Sequence, residues 1–171
     1  AVGSGALRSH APSANADTYN TAVGYDAGQA VSTGIQNTFV GGLAGDGTDD
    51  GAYNTAVGHV ALSANCGNEN TAVGYAALTS ATGADNTAVG SAAGFSLTSA
   101  TAGVFLGKYA GIYATTADNS TFVGFQAGQG ITGTKLTGNG NTAVGKDAGL
   151  TLQGAAASNT FVGDSAGAAV T

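Results

Sequence analysis

The sequence predicts an all-β fold, a parallel β-solenoid of nine to ten coils, and three observations predict it. A nine-residue motif of the type NTAVGYxAG recurs nine times at intervals of 16 to 21 residues. Its fifth position is Gly in every copy. Charged residues make up only 8% of the chain, and Gly, Ala and Thr dominate it. Self-similarity at a fixed short period is the signature of a fold in which each repeat stacks on its neighbours.

The copies begin at Asn20, Asn37, Asn54, Asn70, Asn86, Gly103, Ser120, Asn141 and Asn159, spaced 17, 17, 16, 16, 17, 17, 21 and 18 residues apart. The copy from Gly103, GVFLGKYAG, lacks the Asn-Thr opening, and AVGSGAL at 1–7 reads as a tenth, degenerate coil. The whole chain, 1–171, is therefore one β-solenoid domain: residues 1–19 are a degenerate first coil with a loop, and residues 20–171 carry the nine clear coils.

Each copy reads as a short strand and a tight turn. Side chains alternate along a strand, so Thr21 and Val23 share one face and Ala22 points to the other. The apolar fourth column (Val23, Val40, Val57, Val73, Val89, Leu106, Val123, Val144, Val162) is the expected structural core. On that expectation Val73→Asp unfolds or dissociates the protein. The fifth column (Gly24, Gly41, Gly58, Gly74, Gly90, Gly107, Gly124, Gly145, Gly163) gives corner glycines, needing positive φ or close backbone approach. A second corner is expected at Thr33-Gly34, Cys66-Gly67, Thr82-Gly83 and Thr137-Gly138, giving two short strands per coil. The Asn column (Asn20, Asn37, Asn54, Asn70, Asn86, Asn141, Asn159) fits a hydrogen-bonded ladder at a turn.

Other repeat classes fail on pattern. No segment sustains helical apolar spacing, and Gly interrupts each copy within five residues. Leucine-rich repeats need several Leu per coil, whereas the chain has nine in all, and the GGxGxD series of calcium-binding nonapeptide solenoids is absent. Val, Leu, Ile and Phe together number 31 of 171 residues, a thin core. Burying one large apolar side chain contributes on the order of 1.5–3 kcal/mol, and ordering each residue's backbone costs roughly 1–2 kcal/mol. That balance favours association. Nine to ten coils at about 4.8 Å each make a rod about 45 Å long.

Composition excludes several roles. The net charge is −6, and the four basic residues (Arg8, Lys108, Lys135, Lys146) form no patch, which argues against nucleic acid and anionic membranes. No apolar run approaches a membrane-spanning length and no charged-then-apolar signal opens the chain, so no membrane insertion is expected. Cys66 is the only cysteine and reads as a small loop residue, with a reactive thiol as the alternative.

NTAVGYxAL and NTAVGYxAG in tandem, with TGxxN between copies, resemble the repeat region of phage tail-fibre and related surface-fibre proteins. They are similar, more loosely, to the repeats in heads of trimeric autotransporter adhesins. The resemblance runs from Asn20 to Gly167. It implies a parallel homotrimer of left-handed β-rolls with apolar residues of three chains meeting at the axis, and it implies attachment or fibre building without catalysis. Coil lengths above the adhesin norm and the Gly103 copy depart from the pattern. The self-cleaving chaperone domain often found at the end of such fibres is not in this sequence; it is expected to have been removed or to be lacking.

The search for chemistry finds no catalytic residues, no cofactor motif and no resident metal site. His10 and His59 do not form a Ser/His/Asp set; His59 shares a variable column with Tyr25, Gly42, Tyr75, Ser91 and Lys108 and reads as a surface residue. If that column faced a three-fold axis, three copies of His59 would form a metal site. Asp46, Asp49 and Asp50 in GDGTDDG are the one acidic cluster, a solvated turn or, as the lesser reading, a Ca²⁺ loop. GQGITGTKLTGNG does not match a phosphate-binding loop, and Asn119-Ser120-Thr121 is an isolated glycosylation sequon.

Two functions fit. The first is a fibre shaft or receptor-binding module of a phage tail fibre or cell-surface fibre, extracellular on a virion or cell surface. Its partners are its own copies (a homotrimer, with end-to-end filaments as a further step) and a host-surface receptor or glycan. The segments 129–140 and 6–19 then project as loops, and Tyr25, Tyr75 and Tyr109 offer sugar-stacking rings. The second is an ice-binding β-solenoid using the Thr column.

Overall fold

The computed structural model describes residues 1–11 and 17–168. It is an all-β solenoid. Nine three-residue strands lie in one parallel sheet in sequence order: β1 (Thr21–Val23), β2 (Thr38–Val40), β3 (Thr55–Val57), β4 (Thr71–Val73), β5 (Thr87–Val89), β6 (Val104–Leu106), β7 (Thr121–Val123), β8 (Thr142–Val144) and β9 (Thr160–Val162). Register is strict: Thr21, Ala22 and Val23 face Thr38, Phe39 and Val40, and the same alignment continues to Val144 opposite Val162. The opening segment joins the stack as a further coil, because Val2 bridges Val23 and Gly3 has the φ of a corner glycine, 128°. The loop expected over 6–19 includes residues 12–16, which lie outside the described residues.

The expectation of two strands per coil is corrected to one. The wall opposite the sheet is built of turns, held to the next coil by backbone bonds such as Ser32 N–H to Asp49 O at 3.0 Å and Thr98 N–H to Thr115 O at 2.9 Å. Gly34, Gly51 and Gly83 on this wall are not at left-handed φ; an added Cβ would lie 2.0–2.6 Å from a carbonyl oxygen of the following coil.

The assignment of the core is also corrected. The middle residue of every strand points inward, and the Val column points outward. Ala22, Phe39, Ala56, Ala72, Ala88, Phe105, Phe122 and Ala143 are fully buried. Val23, Val40, Val89 and Val162 are exposed, at 40%, 37%, 42% and 70%, and Val57, Val73, Leu106, Val123 and Val144 are half-buried. The physical reason is the parity set by Asn. Its amide turns inward to bond the carbonyls of the adjoining turn, as Asn20 does to Gly34 O, so positions one and three face in, and positions two and four face out.

The interior fills by exchange of volume between the third and ninth positions, within the coil in six of the nine copies and with a neighbouring coil in the other three, where Phe39, Leu78 and Phe161 fill the space at Gly28, Gly94 and Gly149. Phe39, Phe105 and Phe122 each face a glycine of their own coil (Gly45, Gly111, Gly128), where a Cβ would come within 2.4–2.5 Å of the ring. Coils with Ala56 and Ala72 instead carry the buried Leu62 and Leu78 at the ninth position. Phe105 and Phe122 meet edge to face, with centroids 5.7 Å apart. A core this narrow reaches close packing only if a large residue on one wall is answered by a small one on the other.

Candidate functional site

The Asn ladder is the first device that positions the surface. Asn37, Asn54, Asn70, Asn86 and Asn141 are fully buried. Asn20 Nδ2 donates to Gly34 O at 2.8 Å and Asn37 Nδ2 to Gly51 O at 2.8 Å, so each amide clamps the end of its own coil. Each Oδ1 accepts the backbone N–H of the next coil's first residue, as from Asn37 to Asn20 at 2.9 Å and from Asn70 to Asn54 at 2.9 Å. In Asn20, Asn37, Asn70, Asn86 and Asn141 one residue thus closes a coil and docks the next, whereas Asn54 docks the next coil but its buried Nδ2 has no partner. In the Gly103 coil the clamp is missing, yet Gly103 N–H still donates to Asn86 Oδ1 at 3.0 Å, which keeps the register.

Asn70→Ala removes the acceptor of Asn86 N–H and the donor to Gly83 O, at 3.0 Å each, inside the wall. A buried group left unpaired costs about 1–3 kcal/mol, so the variant is expected to lose on the order of 3 kcal/mol in urea unfolding. Thr71→Ala, on the outer face, is the control and should change stability by about 0.5 kcal/mol or less. Equal losses would show that the amide is not the clamp.

The corner glycines occur as expected. All nine have φ between 126° and 141°. Left-handed backbone is far commoner than the glycines announce, however. The seventh position (Asp26, Leu43, Val60, Ala76, Ala92, Tyr109, Gln126, Asp147, Ser165) lies at φ 50–63°, and most residues preceding the Asn column do the same. Side-chain identity at these positions gives no signal of that conformation.

With the Val column outside, the sheet presents an outer face of two columns, Thr and Val. None of its eighteen positions is charged, and the one departure from the pattern replaces Thr with Val104 and Val with Leu106. This surface was missed as a surface by sequence reasoning, although the alternation itself marked which residues share it. Around the glycine corner runs the sixth-position column. Tyr25 and Tyr75 are exposed at 62% and 61%; His59 and Tyr75 stack with centroids 5.9 Å apart and planes 5° from parallel. Lys108 lies 4.7 Å over the Tyr109 ring, and Tyr109 meets Phe125 at 6.3 Å. His59 therefore belongs to this edge and not to the Thr–Val face.

The remaining candidates stay apart. Burial raises the Asp46 carboxyl above its ordinary value, and its Oδ1 has no hydrogen-bond partner. Asp49 accepts from Ser32 Oγ instead, and Asp50 is exposed. Among the described residues no group of three or more His, Cys, Asp or Glu side chains is placed to hold a metal. Cys66 is buried with Sγ 3.3 Å from Thr48 Oγ1, and burial pushes its thiol up, which disfavours the nucleophilic thiolate. Residues 131–135 form an exposed turn with a bridge between Ile131 and Thr134, and the chain rejoins the core at the buried Leu136. Among the described residues no helix is long and apolar enough to cross a membrane. Comparison with protein-family models, curated proteins and solved structures finds no match to this chain.

Proposed function

We propose that the chain is a structural module of an extracellular fibre, a shaft or adhesion segment of a phage tail fibre or cell-surface fibre, without catalytic activity. It assembles as a parallel homotrimer. The observation that carries this reading is the outer Thr–Val face. An uncharged, apolar-rich sheet face nine strands long is left uncovered by the described residues. Extended apolar patches of this kind mark association sites on soluble proteins. Three in-register chains would turn this face toward a common axis, and each coil would repeat one contact, which explains why the motif repeats so strictly. The NTAVG resemblance supplies the number three.

The test is the particle mass by light scattering. Three times the 16.2 kDa chain mass is expected, stable to dilution. A monodisperse monomer with a β-rich spectrum overturns the trimer.

A second reading, ice binding, is favoured by one specific feature: the Thr column is in register from coil to coil, with a regular step of about 4.8 Å. It requires that face to be open to water, so it predicts a monomer with thermal hysteresis. The fibre reading predicts a trimer without it.

A further inference from the structure

Asn139-Gly140 is the only Asn-Gly pair in the sequence. Asn is a thermolabile residue, and a following glycine, lacking a Cβ, leaves its own backbone nitrogen open to the Asn side chain. Both residues are exposed. Gly140 lies at φ 69°, but the fold does not demand glycine there. Gln36, Asp85, Ala102 and Ser158 hold the same position in other coils at φ 54–62°. An added Cβ at Gly140 would meet only Ser158 Oγ, at 3.7 Å.

We propose that Asn139 is a self-modification site: when its coil separates from Asp118 it deamidates through a succinimide, and the product carboxylate keeps that contact open. In the first step Gly140 N bonds to Asn139 Cγ, the N–H proton passes to solvent, and the Cγ–Nδ2 bond breaks to release ammonia. Water then adds to either carbonyl carbon of the ring and leaves aspartate or isoaspartate at position 139. Asp118 of the preceding coil holds every group this needs. Gly140 N–H donates to Asp118 O at 2.9 Å. Asn139 Nδ2 donates to Asp118 Oδ2 at 3.2 Å, and Asn139 Oδ1 accepts Asp118 N–H at 3.0 Å. Asp118 is in turn fixed by Thr101 N–H, which donates to its Oδ1 at 2.8 Å. While these bonds stand, the nitrogen keeps its proton and the amide cannot turn toward it. The junction is also where the ladder bond is longest: Ser120 replaces Asn, and Asn141 N–H reaches its Oγ at 3.2 Å, against 2.8 Å from Asn54 N–H to Asn37 Oδ1. The product inverts the contact. A carboxylate oxygen replaces the Nδ2 donor opposite Asp118 Oδ2, so like charges meet where a hydrogen bond was. Isoaspartate also lengthens the backbone just before Asn141, whose buried Nδ2 clamps the coil at Gly138 O and Ala156 O, 2.9 and 2.7 Å away.

This inference is independent of the fibre reading. The folded chain is held in warm, mildly alkaline buffer beside a synthetic peptide of residues 133–145, and mass spectrometry follows the replacement of NH2 by OH at position 139. Asn139 is expected to react before any other asparagine of the chain. It should react at least about tenfold slower in the chain than in the peptide, because the bonds to Asp118 must open first. Asp118→Ala, which removes the acceptor of Asn139 Nδ2, should speed the reaction in the chain about threefold. Gly140→Ala, for which Ala102 at φ 54° is the precedent, should slow it about tenfold in chain and peptide alike. Circular dichroism checks that each variant is folded. The modified chain, separated by its added negative charge, should unfold at lower urea than the unmodified chain. Equal rates in chain and peptide would show that Asp118 gates nothing. An Asn139 that stays intact in wild type and in Asp118→Ala would remove the site, and a modified chain as stable as the unmodified one would remove the lasting opening of the contact.

Discussion

Ala72→Asp is expected to abolish folding, whereas Val73→Asp, one residue on, is expected to keep the β-rich far-UV spectrum and lower the particle mass from three chains to one. The two positions are adjacent in β4 and differ only in the direction they face. Ala72 is fully buried between Ala56 and Ala88 of the neighbouring coils. A carboxylate there has no room, no partner and no water, and an uncompensated buried charge costs several kcal/mol. Native proteins are stable by only about 5–15 kcal/mol, so one such group is enough to unfold a thin core. Val73 is half-buried on the outer face. In a single chain an Asp there reaches water and costs about 1 kcal/mol of strand preference. In a trimer it would place three carboxylates near one axis, and their repulsion would separate the chains. A Val73→Asp variant that remains trimeric would remove the Thr–Val face from the interface. One that unfolds beside a folded Ala72→Asp would reverse the assignment of the two faces.

The same pair of residues shows how far the sequence could be read. Coil number, register and the corner glycines follow from the motif alone, because a β-period and an invariant Gly are local signals. Which strand face is buried is not local. Residue size argued for Val inside and Ala outside, yet the interior is too narrow for a Val in every coil and takes Ala, with Phe only where Gly answers it. The signal that settles the parity was present in Asn. A polar residue repeated at the first position is a clamp only if it points inward, and that places Ala inside and Val outside. The left-handed backbone at the seventh position was not legible at all. It is occupied by Asp, Leu, Val, Ala, Tyr, Gln and Ser, including the β-branched Val60 at φ 51°. Its strain is borne by the hydrogen bonds between coils, such as Val60 N–H to Gly42 O at 3.0 Å, which exist only when the stack is formed. The aromatic edge was half legible. His59 and Tyr75 share a column in consecutive coils, which placed them side by side, but their stacking depends on side-chain direction.

Gly74→Ala is expected to destabilise by on the order of 3 kcal/mol or more, and two further glycines separate the causes. Gly74 has φ 133°, and its added Cβ would lie 2.6 Å from Gly90 O and 2.7 Å from Gly90 C. Those are backbone atoms of the next coil. They cannot rotate away, so the methyl group must either push two coils apart or twist the corner, and each breaks the register that the Asn ladder sets. Gly163, the corner of the ninth motif, has φ 126°, but among the described residues its Cβ would meet only Ala166 Cβ, at 3.9 Å. Gly163→Ala therefore carries the backbone strain without the collision and should cost about 1–3 kcal/mol. Gly42 is not at left-handed φ, and its Cβ would meet only His59 Cδ2, at 3.4 Å. Gly42→Ala carries neither and should change stability by about 0.5 kcal/mol or less. Urea unfolding of the three variants is expected to rank them Gly74, Gly163, Gly42 in decreasing loss. Equal losses at Gly74 and Gly163 would mean that φ alone selects glycine at the corner. A ranking as expected would mean that the invariant column records the closeness of the coils, and that the distance between coils, rather than the turn within one, fixes the fifth residue of the motif.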